Sequence, residues 1–550
     1  MYNKKYNHFG VMIDCSRNAV KSVEEIKRFI DNLAKMGYNT LELYTEDTYK
    51  IESEPYFGYL RGGYSADEIK VIDKYCKDCG IELIPCVQTL AHLDSLLNLP
   101  QYSSIKDIDN IVLIDELKTY ELIDKIFAFC ADNFTSRQIN IGFDEAHMVG
   151  LGNYLDKHGF QDRYEILLRH LNKVIVIAKK YGFKPHMWSD MFFRMYFRQA
   201  REKGEDLSVS FNCDADYYCS KVVEFPDKIV EEIPDDVSIV YWDYYNNKKS
   251  VYDSMFESHK NLKKEIWFAG GAWTWMGFVP FNKMSLDILK PAMQSVVENN
   301  IENVLITMWG DDGGECSYNS ALATLYAARR FANGEFDLNE IKSDFYKMFG
   351  INFDSFLLLD VINDTNKNIF EGIKENPAKV LFYNDPFLGI NDCDVENCGL
   401  PDFRNCAILL QNESKKVGEF SYIFDTLSSL AKFLELKAYL GIETRKAYKN
   451  KDKDKLLGLI VQYEITLKRL NVFYKKYKDL WFRENKPFGF EVQAIRVGGL
   501  IQRIKDCKEI LNQYCLGKIK TIPELEENIL PYCNHLRRYY YQGIASVSKI

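Results

Sequence analysis

The chain has 550 residues, 47% of them hydrophobic, enough to bury one large core and a second smaller one, so two domains are expected. A formal charge of −9 without a long basic run leaves no electrostatic footprint for nucleic acid. No apolar run approaches the roughly 20 residues of a membrane span, and the amino terminus, MYNKKYNHFGVMIDCSR, lacks the apolar stretch of a secretory signal.

Phe9 to Asp14 is strand-like, and Ser22 with Glu25 three residues on reads as a capping box opening a helix that carries Ile26, Ile30 and Leu33 on one face. Gly37 closes that helix. The second strand, Asn39 to Tyr44, leads into an aromatic and glycine-rich loop (Tyr56 to Tyr64) and a helix over 66–79. A third strand, Ile81 to Gln88, feeds the loop Thr89-Leu90-Ala91-His92, and a helix over 115–133 returns the chain to QINIGFDEAH, Gln138 to His147. Here Ile139 to Phe143 reads as a buried strand, the lone Gly142 suits close approach of another backbone, and Asp144 and Glu145 stand at the strand end.

Tyr164 to Tyr181 is a long helix stopped by Gly182. Strands five to eight follow at Lys184 to Asp190, Val237 to Tyr245, Ile266 to Ala272 and Val304 to Trp309, with helical patterns near 252–264, 281–299 and 315–333. Strands alternating with helices eight times predict an α/β fold, a TIM (β/α)8 barrel over 1–334. An open doubly wound sheet would want a glycine-rich dinucleotide loop after strand one, and CSRNAV is not one. After Gly334 the pattern changes to long helical segments, such as Phe420 to Leu440 and Lys455 to Tyr477, predicting an all-helical C-terminal domain over 335–550 with an irregular loop at 384–404.

In a parallel barrel, catalytic groups collect at the carboxyl ends of the strands. Those ends bring Arg17, His92, Asp144 with Glu145, Trp188 with Asp190, Trp242 to Tyr245, Trp273 with Trp275, and Trp309 with Asp311. Aromatic faces stack on sugar rings while Arg and Asp bond hydroxyls, so this inventory suits a carbohydrate better than a phosphate or an apolar ligand. Taken singly, each residue also has a structural reading: a solvated acid, a core tryptophan, a satisfied histidine. Their joint placement carries the functional one.

Neighbouring strand residues point to opposite faces, so Asp144 and Glu145 cannot easily flank one glycosidic bond as nucleophile and acid. One carboxyl must do something else, such as orienting a substrate's own 2-acetamido nucleophile. The 14 cysteines are scattered, with Cys15, Cys86 and Cys130 inside strand-like or helix-like runs, which suits reduced thiols and a cytoplasmic location. Cys76 and Cys79 form a lone CxxC, so neither metal nor cofactor is expected.

At these residues a resemblance becomes specific. NIGFDEAH resembles the H/N-x-G-x-D-E signature of family-20 glycoside hydrolases, the β-N-acetylhexosaminidases, with Ala91-His92 where Gly-His is usual and WGDDGGE in place of a late W-G-E motif. SRNAV, PYFGYLRGGYSA, DEAHMVGLGNYL, MWSDMFF, YWDYY and FAGGAWTW look like the bacterial intracellular exo-β-N-acetylglucosaminidase branch, and FGFEVQAIRVGGLIQRIK resembles its helical carboxyl-terminal domain. Such enzymes commonly carry an α/β domain ahead of the barrel, whereas this sequence enters strand one almost at once.

The resemblance implies a retaining exo-hydrolase releasing terminal β-N-acetylglucosamine or N-acetylgalactosamine from oligosaccharides, with Glu145 as general acid and Asp144 holding the acetamido group. Glu145 would be kept protonated by an apolar, partly buried setting. Arg17 would bind outer hydroxyls, together with Asp311 or Glu315, and Trp273 and Trp309 would wall the ring and acetamido pocket. A tyrosine of strand six, Tyr244 ahead of Tyr241 and Tyr245, would bond the acetamido oxygen, and His92 and Trp188 are further pocket candidates. The rivals are a glycosidase using Glu145 with Asp190 or Asp311 as an ordinary pair, and a sugar-binding barrel without turnover. The aromatic carboxyl end (Tyr539, Tyr540, Tyr541) suggests a homodimer through the helical domain.

Overall fold

Eight apolar stretches pair in parallel, and the last closes on the first. They are β1 (His8–Asp14), β2 (Thr40–Tyr44), β3 (Glu82–Cys86), β4 (Gln138–Asn140), β5 (Lys184–Trp188), β6 (Ser238–Trp242), β7 (Ile266–Gly271) and β8 (Asn303–Met308). At the closing seam Phe9 lies beside Val304 and Val11 beside Ile306, and on its other edge β1 sets Val11 beside Leu41. The computed structural model describes residues 6–204, 213–214, 217–365, 375–532 and 535–548.

A helix follows each strand: α1 (Val23–Met36), α2 (Ala66–Asp78), α3 (Leu117–Asn133), α4 (Arg163–Lys180), α5 (Asp190–Glu202), α6 (Lys249–Lys260), α7 (Asn282–Glu298) and α8 (Leu322–Ala332). The fold is therefore the TIM barrel expected, and α5, not among the expected helices, supplies the helix of the fifth βα unit. The predicted cap of α1 is half formed. Ser22 Oγ accepts from Glu25 N at 3.2 Å, but the Glu25 carboxylate turns to Arg28 and Asn319. A full capping box closes α2 instead, with Ser65 and Glu68 satisfying each other's backbone N–H.

Three strands end earlier than their apolar runs suggest. Asp190 opens α5 rather than extending β5. After β6 the Asp243 carboxylate accepts from Tyr245 N and Asn246 N, a turn that stops the ladder at Trp242. β4 pairs only over Gln138–Asn140. Inside the barrel, Glu42 and His186 are fully buried and 2.8 Å apart, and Trp267 stacks on the His186 ring at 4.3 Å. A buried polar group needs such a partner, and this pair fills the core beneath the mouth.

Beyond Gly334 the regular elements among the described residues are helices, chief among them α9 (Phe403–Ser414), α10 (Ser421–Lys437), α11 (Leu440–Lys449), α12 (Lys453–Glu484) and α13 (Phe490–Cys515). The segment expected to be irregular holds a short helix, Asp392–Asn397, and the start of α9. Buried ion pairs join the two parts of the chain. Lys21 meets Glu484 at 3.2 Å, and Lys379 stands between Asp312 (2.8 Å) and Glu315 (2.9 Å).

The aromatic carboxyl end folds back on its own chain. Tyr541 packs edge-on against Tyr383 at 4.8 Å and beneath the Arg496 guanidinium at 4.7 Å, while its neighbour Tyr540 stays exposed. Eleven described cysteines are free thiols, while Cys219 is disulfide-bonded, a departure from the all-reduced expectation. Among the described residues no helix is long and apolar enough to cross a membrane.

Candidate active site

The carboxyl ends of the strands surround a cleft of about 410 Å³. At its centre the chain leaves β4 by a sharp turn. Asn140 Oδ1 accepts from Gly142 N at 3.0 Å, and Gly142, Phe143 and Glu145 all take positive φ (77°, 77° and 52°). Strand alternation therefore does not apply past Asn140, and the adjacent carboxyls of Asp144 and Glu145 both line the cleft. This corrects the expectation of opposite faces. His92 and Asp312, also on the wall, share the left-handed conformation (58° and 56°). Non-glycine residues held there cost about 1–3 kcal/mol each, and such strain gathers at functional sites.

Gly142 allows a close approach, though by a side chain rather than a backbone. A Cβ there would stand 1.9 Å from Gln88 Oε1. Through that gap Gln88 Nε2 donates to Asp144 Oδ1 at 2.9 Å and to Tyr44 Oη at 3.0 Å. On its other side Asp144 Oδ2 lies 3.1 Å from His92 Nε2. Burial pushes the Asp144 carboxyl up, but the His92 charge and the bonds from His92 and Gln88 outweigh it and hold the group below the usual carboxylate range. Burial likewise opposes the charge on His92, yet Asp144 raises that imidazole to about 9.

Glu145 stands at the rim with 45% of its side chain exposed, 3.7 Å from His92, so the apolar burial expected of it is absent. The reason is the turn: Glu145 is pinned by its own backbone N–H, which donates to Asp190 Oδ2 at 3.2 Å, and its side chain projects over the opening. Asp190 itself lies behind the wall, bonded to Arg194 and to Trp242 Nε1, and burial with the nearby carboxylates raises it to about 6.

Arg17 and Asp311 form the far end. Arg17 Nη1 donates to Asp14 Oδ2 at 3.0 Å, its Nη2 lies 3.7 Å from Glu46, and its Nε is 4.0 Å from Asp311. The guanidinium lies over the rings of Tyr44 and Trp309, which fixes its plane. Burial raises Asp311 to about 6 against the pull of Arg17, and it raises Glu46, behind Arg17 and not among the expected site residues, to about 7. Glu315 is not in the cleft: it is buried against Lys379 and Arg496 at the junction with the helices. Of the two candidates for the outer hydroxyls, only Asp311 faces the opening.

Indoles make the walls. Trp188, Trp275 and Trp309 line the cleft with Trp242, and the Trp188 N–H finds no acceptor among the described residues. Trp273, expected on the wall, lies one layer back. It stacks on Trp275 at 4.1 Å and donates from Nε1 to the Tyr244 carbonyl at 2.9 Å. Of the three tyrosines, Tyr244 and Tyr245 reach the cleft, whereas Tyr241 turns outward and bonds Asp243 at 2.8 Å. Asp94, Asn110, His147, Asp312 and Tyr540 also line it and were missed. His147 follows the acid pair closely, Asp312 stands in WGDDGGE and Tyr540 in the aromatic carboxyl end, whereas Asp94, at the start of a short helix, and Asn110 carry no distinguishing pattern. Among the described residues no cluster of His, Cys, Asp and Glu is arranged to hold a metal.

Residues 6–264 match the family description "Glycosyl hydrolase family 20, catalytic domain", and residues 354–539 match "Glycoside Hydrolase 20C C-terminal domain". A beta-hexosaminidase of Emericella nidulans is 22% identical over 220 residues, 34% of this chain and 36% of that relative. An exo beta-N-acetylglucosaminidase of Vibrio harveyi, solved with N-acetylglucosamine, superposes with a TM-score of 0.44 at 15% identity over 64% of this chain and 58% of its own. The beta-N-acetylhexosaminidase of Bacteroides fragilis gives 0.46 at 18% identity over 63% and 70%. For both the fungal and the Vibrio protein, the match spans less than two thirds of the relative's length.

Proposed function

The chain belongs to glycoside hydrolase family 20, and from that membership we propose that it is a retaining exo-β-N-acetylhexosaminidase acting through the substrate's own acetamido group. The observation that carries this reading is the pair Asp144 and Glu145, turned into one cleft in different settings. Asp144 is buried, ionised and held by Gln88 and His92. Glu145 is at the rim, where a leaving group would depart.

In this scheme the acetamido N–H donates to Asp144, which orients the carbonyl oxygen toward the anomeric carbon. That oxygen attacks as Glu145 gives its proton to the glycosidic oxygen, and the bond to the leaving sugar breaks. Asp144 stabilises the positive charge of the resulting oxazolinium ring. Glu145, now a base, takes a proton from water as the water opens the ring, so two inversions give retention. A bound sugar excludes water from the rim, the condition under which a carboxyl favours its neutral form. Arg17 and Asp311 would hold the outer hydroxyls, and Trp188, Trp275 and Trp309 would enclose the ring and the acetamido methyl. The chemistry needs only side chains and water.

The substrate class is an oligosaccharide with a terminal β-linked N-acetylglucosamine or N-acetylgalactosamine. Among the described residues, eleven free thiols against the disulfide-bonded Cys219 support a reducing compartment, the cytoplasm; cell fractionation tests that placement. The deciding experiment is hydrolysis of matched aryl β-glycosides of N-acetylglucosamine, N-acetylgalactosamine and glucose, with a thiazoline analogue of the cyclised intermediate as inhibitor. Selective cleavage of the acetamido sugars with strong inhibition is expected. Glucoside cleavage at an equal rate without inhibition would instead favour an ordinary carboxylate nucleophile.

A further inference from the structure

One wall of the cleft is not made by the barrel. It is Tyr540, brought there by the carboxyl-terminal segment 535–548. This strap is fastened on both sides of the tyrosine. On one side the fully buried Asn376 accepts from Arg538 N (3.0 Å) and donates to Arg538 O (2.7 Å), while its own N–H goes to Leu536 O (3.0 Å). The same amide donates to Met276 O at 2.8 Å, next in sequence to the cleft residue Trp275. One side chain thus ties the strap to the cleft wall.

On the other side Tyr541 N donates to Asp312 Oδ2 at 2.6 Å, beside Asp311, and Ile544 is fully buried. Between these anchors Tyr540 is left 69% exposed over the opening. An exposed tyrosine is ordinary on a free surface. This one lines a cleft, and its flanking backbone is already ordered, so little further freedom is lost when a ligand covers it. Burial and the carboxylates of Asp311, Glu145 and Asp312 raise its phenol, which agrees with a hydroxyl near the acids of the cleft.

We propose that Tyr540 is a substrate-contacting residue that closes the outer side of the cleft over the bound sugar, making the carboxyl-terminal strap part of the binding site. The inference rests on the reading of the cleft as an amino-sugar site. The ring offers an apolar face and the hydroxyl a hydrogen bond, the combination a pyranose accepts.

The test uses the full chain with Tyr540→Ala and Tyr540→Phe. N-acetylglucosamine binding is followed by the fluorescence of the cleft tryptophans, alongside hydrolysis of the aryl glycoside. Tyr540→Ala should weaken binding and raise KM about tenfold, with kcat changed less than about twofold and Tm held; Tyr540→Phe should keep most of the affinity. Binding and KM equal to wild type in Tyr540→Ala would overturn the proposal. A wild-type chain that binds the sugar without cleaving it would sink the hydrolase reading alone, leaving the strap to be judged by binding. A chain that binds no amino sugar would sink both.

Discussion

His92 Nε2 lies 3.1 Å from Asp144 Oδ2, a contact between the loops after β3 and β4 that charges both partners at neutral pH. Because the His92 pKa is raised in the fold, its contribution to stability is complete below the ordinary value of 6.5 and is lost as pH rises through about 9. Asp144 is depressed, so its contribution is present above the ordinary 3.8 and is lost as pH falls through its folded value. The pair is whole in the window between.

The pH–rate profile of kcat/KM should therefore show an alkaline limb near 9 that belongs to His92. His92→Gln should remove that limb and lower kcat/KM by roughly ten- to a hundredfold, since a hydrogen bond to a charged group is worth about 1.5–3 kcal/mol. A limb at the same pH in the variant would assign it to another group.

Gly142→Ala should be far more damaging than an exposed glycine substitution. The new methyl would stand 1.9 Å from Gln88 Oε1 at a backbone φ of 77°. The strain alone costs about 1–3 kcal/mol, and displacing Gln88 removes a bond to Asp144. Part of the loss comes from the clash, so Gly142→Ala combined with Gln88→Ala should destabilise less than the sum of the two singles. Urea unfolding of the four proteins in the cycle measures this, and strict additivity would mean that Gln88 simply moves aside.

The barrel could be read from sequence because buried parallel strands are continuous apolar runs: Phe9 to Ile13, Leu83 to Cys86 and Val304 to Met308 need no tertiary information to be seen. Their limits could not, because the same apolar residues continue into the mouth, where Asp243 and Asp190 end β6 and β5 by turns and helix starts. The acid pair was visible as residues but not as geometry, since the positive φ of Phe143 and Glu145 leaves no mark in composition. Trp273 and Trp275 are two apart past the end of β7, and only packing decides which lines the cleft. Tyr540 is remote in sequence from every other cleft residue, and the aromatic run that holds it does not say that the chain folds it back to the cleft.

Trp275 and Trp273 separate binding from stability. Trp275→Phe trims the cleft wall and should raise KM, with a smaller effect on unfolding. Trp273→Phe should do the reverse. Both indoles are buried, so the difference lies in the hydrogen bond: Trp273→Phe leaves the Tyr244 carbonyl without its donor, a loss of about 1–3 kcal/mol before any cavity is counted. KM and urea midpoints for both variants check the order; the larger KM effect in Trp273→Phe would put that indole back on the wall.

Lys379→Met tests whether the helical domain holds the loop after β8. The Lys379 ammonium is fully buried, 2.8 Å from Asp312 and 2.9 Å from Glu315, and Arg496 reaches the same two carboxylates at 3.0 and 3.3 Å. Two cations thus balance two buried anions. Methionine matches the stem of lysine but leaves one carboxylate uncompensated, and breaking a buried pair in this way costs about 3–5 kcal/mol. Asp312 also anchors Tyr541 and adjoins Asp311, so a shifted loop should raise KM before it lowers kcat. The variant Lys379→Met with Glu315→Gln removes one charge of each sign and should recover much of the stability. Recovery in urea midpoint without recovery of KM would show that the loop's placement, beyond its charge balance, depends on this lysine.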